Sequence, residues 1–140
     1  MTGEEQSTGR SWGAIFAALG ALACSTAVMM AAAGDHVVSR EFSRHAYRIY
    51  QIANRFQMLD GIGLVLLGLA MGVWGKRRVW IGSGLLMVTG ILCFGGGLYV
   101  SVLARTHAVV LLVPLGGGCM ILGWLGFSWG CWQARRLGTC

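Results

Sequence analysis

Residues 54 to 63 read NRFQMLDGIG, and the run that follows, LVLLGLAMGVWG, carries nothing charged until Lys76. Asp60 thus stands at the threshold of a long apolar segment. A carboxylate in hydrocarbon is expensive, so intramembrane acids face the bundle interior, pair, or take up a proton. Arg55, five residues earlier, points about 140° away around a helix and is a poor partner. The connections that share a side with the start of this segment bring Asp35, His36, Arg105 and His107 towards the same end. Three chemistries fit this group. Asp60 is a structural tie to Arg105, His36 or backbone near Gly61, which is the leading reading. Alternatively, Asp60 and the histidines form a proton or cation site. The third reading is a metal site from Asp35, His36, Asp60 and His107, whose spacing is not diagnostic because the ligands come from three segments.

The composition says what must hold these residues. Of the 140 residues 56% are hydrophobic and only 11% charged, against roughly 25% charged in an ordinary soluble domain. There are 23 glycines and one proline, and glycine is more frequent in transmembrane helices than in soluble ones. One small integral membrane protein follows. The net charge of +6 is scattered between apolar runs, as in interfacial loops, so nucleic acid is not an expected partner. Cys24, Cys93, Cys119, Cys131 and Cys140 show no CxxC spacing and sit mostly in apolar runs, as small hydrophobes without a disulfide or metal role. No span carries a central histidine for haem. No nucleophile triad and no phosphate loop is visible, so neither a cofactor nor catalysis is expected.

Four spans are expected, at about 12–34, 53–75, 79–103 and 108–132, each meeting the need for about 20 residues. The first is roughly twice the length of a signal-peptide core and follows MTGEEQSTGR, which is not basic, so it reads as a retained helix. The turns GKRR and ARTH are very short and force antiparallel neighbours. The fold class is therefore an all-α, four-helix up-down transmembrane bundle. Starting the second span near Ala53 places Asp60 about two turns inside it. Between spans one and two, residues 35–52 read as an interfacial amphipathic helix. Phe42, Ala46, Ile49, Ala53 and Phe56 mark its apolar side, and Arg40, Arg44, Arg48 and Arg55 a basic stripe facing lipid or a partner.

Small residues four apart allow backbones to approach, and packing must hold helices together in lipid. Gly13, Ala17, Ala21 and Ser25 form such a stripe in helix one, Gly68 and Gly72 in helix two, Gly126 and Gly130 in helix four. Pro114 marks either the start of helix four or a kink. Trp80, Trp129 and Trp132 suit a membrane interface.

Four elements in order carry a resemblance: GDH at 34–36, RFQM at 55–58, GLY at 97–99, and PLGG at 114–117 followed by GW at 123–124. The chain resembles the YgdD-like family of small bacterial inner-membrane proteins, domain of unknown function number 423, which has relatives in eukaryotes. The match runs over nearly the whole chain after residue 12. It implies a four-helix membrane protein and names no activity. Where the family carries tyrosine and histidine after its RYQM-type element, this chain has Leu59 and Asp60.

The expected function is that of a non-catalytic accessory or structural subunit, packing against other integral membrane subunits through its glycine- and alanine-rich faces and surrounded by membrane lipids. The alternative is a small oligomeric proton or cation transporter using Asp60. The expected location is a bacterial inner membrane or an equivalent organelle membrane. The termini fall on the cytoplasmic or matrix side, because Lys76, Arg77 and Arg78 crowd a very short loop beside two spans.

Overall fold

The computed structural model describes residues 3–75, 78–106, 108–109 and 111–137, with side chains from Ser11 to Arg136. His107, Lys76 and Arg77 lie outside the described residues. Four helices are long and apolar enough to cross a membrane: Ser11–Glu41, Arg44–Trp74, Arg78–Leu103 and Leu112–Arg136. They are called α1 to α4 here, and they run antiparallel in chain order.

Helix α1 is α-helical over Gly3–Ala33, passes through a π-turn at Gly34–Val38 and ends in a short turn, Ser39–Glu41. Phe42 is extended, and Ser43 caps α2 by accepting from the Ala46 amide at 3.2 Å. Residues 35–52 therefore form two pieces rather than one separate helix. The first half prolongs α1 and the second is the opening of α2. Arg40 falls on one side of the break and Arg44, Arg48 and Arg55 on the other, all exposed. Helix α2 stops at Gly75, whose φ of 78° suits glycine. Helix α3 contains a π-helical segment, Ile91–Gly96. Helix α4 begins at Leu112, so Pro114 sits in its first turn, where a missing amide proton costs nothing.

Helix α2 is central. Half of its most apolar window is buried, against 17% for α1 and for α4. Helix α1 packs chiefly on α2, and α4 chiefly on α3. Each of these pairs is closed by small residues. A Cβ at Gly20 would lie 2.5 Å from the Gly61 carbonyl oxygen, and one at Gly13 would lie 2.8 Å from that of Gly68. Backbone meets backbone there. The α1 seam runs Gly13, Ala17, Gly20, Cys24, Ala27, and the facing α2 seam runs Gln57, Gly61, Leu64, Gly68, Met71. Both alternate steps of four and three, an average of 3.5, which keeps a seam on one face of a left-handed pair. A strict step of four drifts off that face. Accordingly Ala21 and Ser25 are exposed, as is Gly72, which has nothing within 4 Å of its added Cβ.

Between α3 and α4, Gly130 lies against the fully buried Trp80, Gly126 against Ser83, and Gly116 against the backbone of Cys93 and Phe94. Trp80 is thus a core residue and not an interface anchor. Trp129 and Trp132 are exposed, their rings 4.9 Å apart, and Arg136 lies 3.7 Å over the Trp132 ring.

Replacing Gly20 by Leu forces α1 off α2 and should cost about 1–3 kcal/mol of bundle stability, the usual cost of overpacking. Gly72→Leu should cost nothing measurable. Thermal unfolding of the two variants in detergent separates them.

Candidate functional site

Asp60 is 1% exposed. It has sixteen residues of α2 before it and fourteen after it, so it stands at the middle of that helix. Helix α2 runs back past the exposed Arg55, Ala53 and the exposed Arg48 to Arg44. From there the carboxyl is about 24 Å along the axis. Trp124, with twelve residues of α4 before it and thirteen after, lies at the same level. Its indole N–H donates to Asp60 Oδ1 at 2.8 Å. Asp60 Oδ2 is buried with no hydrogen-bond partner among the described residues.

The sequence around Asp60 explains how the indole reaches it. In Asp60-Gly61-Ile62-Gly63 the first glycine faces α1, where its added Cβ would lie 2.8 Å from Cys24 Sγ. The second faces α4, where its added Cβ would lie 2.7 Å from Trp124 Cζ2. Gly63 is the slot that the indole fills. Outside the pair a groove of about 530 Å³ opens between α2 and α4, walled by Phe56, Leu59, Met120, Ile121 and Leu125. Its lining is apolar apart from the carboxyl and the indole, so the chemistry available is that of one carboxyl group.

A second polar system ties α1 to α2. Gln57 donates to the Ala23 carbonyl at 3.0 Å and to Thr26 Oγ1 at 2.8 Å. Asn54 donates to the Ala27 carbonyl at 2.6 Å and to the Tyr99 hydroxyl at 3.4 Å. The Tyr50 hydroxyl donates to the Met30 carbonyl at 2.8 Å. Interhelical hydrogen bonds in membranes average about 0.6 kcal/mol, so no single rung holds the pair and the glycine seam dominates.

The grouping of Asp35, His36, Arg105 and Asp60 is not assembled. Asp35 and His36 are exposed at the far end of α1, where Asp35 accepts from the Tyr47 hydroxyl. Tyr47 is thirteen residues from Asp60 on the same helix, or about 20 Å. Arg105 is exposed and lies 5.1 Å over the Phe42 ring, also at that end. Among the described residues no three His, Cys, Asp or Glu side chains come close enough to hold a metal ion. Sequence reasoning missed Trp124, Gln57, Asn54 and Tyr50. The signal was present in RFQM and in GW, where Gly123 meets Met87 and the next residue reaches Asp60.

A bundle of four apolar helices with glycine seams and a carboxyl at mid-span defines a small polytopic membrane protein. Comparison with known proteins narrows this. The family model described as "Protein of unknown function (DUF423)" matches residues 30–117. A UPF0382 membrane protein of Staphylococcus aureus is 32% identical over 111 residues, covering 79% of this chain and 89% of its own. One from Staphylococcus saprophyticus is 32% identical, covering 79% and 91%, and one from Staphylococcus epidermidis is 34% identical, covering 79% and 89%. No solved structure matches. The chain belongs to this DUF423 family of small membrane proteins.

Trp124→Phe removes the only donor described at Asp60 and should destabilise the bundle by about 1–3 kcal/mol, the cost of orphaning a buried polar group. Adding Asp60→Leu to that variant should recover much of the loss. Denaturant titration of the two single variants and the double variant gives the coupling directly.

Proposed function

We propose that this protein is a non-catalytic accessory subunit that packs against a larger membrane assembly through the outer face of α1. A single observation carries this reading. Helix α1 bears a second series of small residues, Ala14, Ala18, Ala21 and Ser25, with the same alternation of four and three as the seam that holds α2. It lies about 100° further round the helix, and all four residues are exposed. Small residues at this spacing let another helix approach as closely as α2 does, and in lipid such close packing drives association. The exposed Leu22, Val28 and Met29 beside it supply flanking contacts. On this reading the termini lie on the cytoplasmic or matrix side.

Gentle extraction in mild detergent, followed by a native gel, should show the protein migrating in a complex much larger than its 14.9 kDa. Ala21→Leu should release it from that complex while leaving a folded bundle. Migration of the unaltered protein alone contradicts the subunit role.

A second reading has its own observation, the buried Asp60 Oδ2 without a partner among the described residues, at the middle of α2. Intramembrane acids of this kind mark proton and cation paths. On that reading a homo-oligomer in liposomes passes protons, and Asp60→Asn abolishes the flux with the fold intact. Equal flux in both proteins sinks it.

A further inference from the structure

The end of the bundle where α1 meets α2 and α3 meets α4 holds a cavity of about 700 Å³ that neither reading above uses. This volume is within the range of roughly 300–1,000 Å³ typical of sites for one small ligand. Its walls are apolar: Phe42, Ile49, Leu98, Val102 and Val113. Its mouth is polar and is formed by Glu41, Ser43, His45, Ser101 and Arg105. The helices end here, with the exposed Arg40, Arg44 and Arg48 nearby, as at a headgroup boundary.

Arg105 is placed at a cost. It is the one non-glycine residue with positive φ among the described residues, at 52°. It follows the last turn of α3, where the Ala104 amide donates to the Val100 carbonyl at 2.9 Å. That left-handed position after a helix end is usually filled by glycine, which has no Cβ to strain. The chain instead keeps an arginine there and stacks its guanidinium over Phe42, a wall of the cavity. Strain of this kind persists at ligand sites. Beside it the first turn of α2 contains no acid, although a helix N-terminus favours negative charge. Arg44 and His45 occupy that turn instead. The rim thus carries Arg105 with a single acid, Glu41, beside it, and the start of α2 adds a second place for an anion.

We propose that this cavity binds one anionic phospholipid, with its phosphate between Arg105 and His45 and one acyl chain along the apolar wall. Basic pockets between transmembrane helices bind phosphate headgroups in this way. Glu41, the acid on the rim, accepts from the hydroxyls of a glycerol headgroup, and the net negative charge that phosphatidylglycerol carries and phosphatidylcholine lacks favours the former at Arg105.

The test is native mass spectrometry of the full chain released from discs of phosphatidylcholine containing a minor fraction of phosphatidylglycerol. One phosphatidylglycerol should stay with each chain after phosphatidylcholine is lost. Arg105→Gly should weaken that retention by about fivefold or more, as expected for loss of a basic group near an anionic headgroup. Its melting temperature should hold or rise, because the left-handed position is relieved. A merely structural arginine gives the opposite, a lower melting temperature with retention unchanged. Should Arg105→Gly not fold, Arg105→Gln reports the same loss of lipid. Arg135→Gln, at the other end of the bundle, should retain the lipid as the unaltered chain does. Equal retention of both lipids, or full retention in the Arg105 variants, overturns the proposal. So does displacement by inorganic phosphate alone, which identifies a free-anion site without a place for the acyl chain.

Discussion

Lipid tails are as apolar as leucine, so nothing pushes these helices together except contact itself. The consequence is visible at Gly13, Gly20, Gly61 and Gly68, where α1 and α2 touch backbone to backbone. Everything else in the bundle inherits that contact. It brings the α1 carbonyls of Ala23, Ala27 and Met30 within reach of Gln57, Asn54 and Tyr50. It also fixes the rotation of α2. With Gly61 locked against α1, its neighbour Asp60 lies about 100° round the helix, towards α4. The α3–α4 pair, closed by its own glycines against Trp80, Ser83 and Cys93, then presents Trp124 at the matching height.

Asp60 is the point where this packing becomes chemistry. One carboxyl oxygen accepts a hydrogen bond from the indole N–H and the other has no partner among the described residues. Such a group is retained at a cost, and an apolar residue of similar volume would fill the same space without it. Asp60 and Trp124 both line the apolar groove between α2 and α4, and the indole sits against Gly63. The polar features at the far end are separate. Asp35, Tyr47, Arg105 and Phe42 belong to the mouth of the bundle, about 20 Å away.

Much of the fold was legible. Long apolar runs, very short charged turns and the single proline sufficed for four antiparallel spans, because hydropathy and loop length act locally. The start of the helix was less legible. The connector was read as a separate amphipathic piece, whereas the Ser43 cap carries α2 back to Arg44 as one continuous helix. The small-residue stripes were read in steps of four, but a helix pair selects an average step of 3.5. Ala21 and Ser25 therefore left the inner seam, while Gly20, Cys24 and Ala27 entered it. Trp124 could not be assigned to Asp60 from spacing, since the contact spans 64 residues and depends on the rotation of two helices. The burial of Trp80 follows the same logic: Gly130 opens the space for it from another helix.

The two faces of α1 set the functional account apart from a self-contained bundle. One seam is filled by α2 and an equivalent one is open. A photo-crosslinking amino acid placed at position 21 in intact membranes, compared with the same group at position 69 on the exposed face of α2, reads this directly. The account predicts one discrete protein adduct from position 21 and none from position 69. Identical results at both positions, or lipid adducts alone, would contradict it.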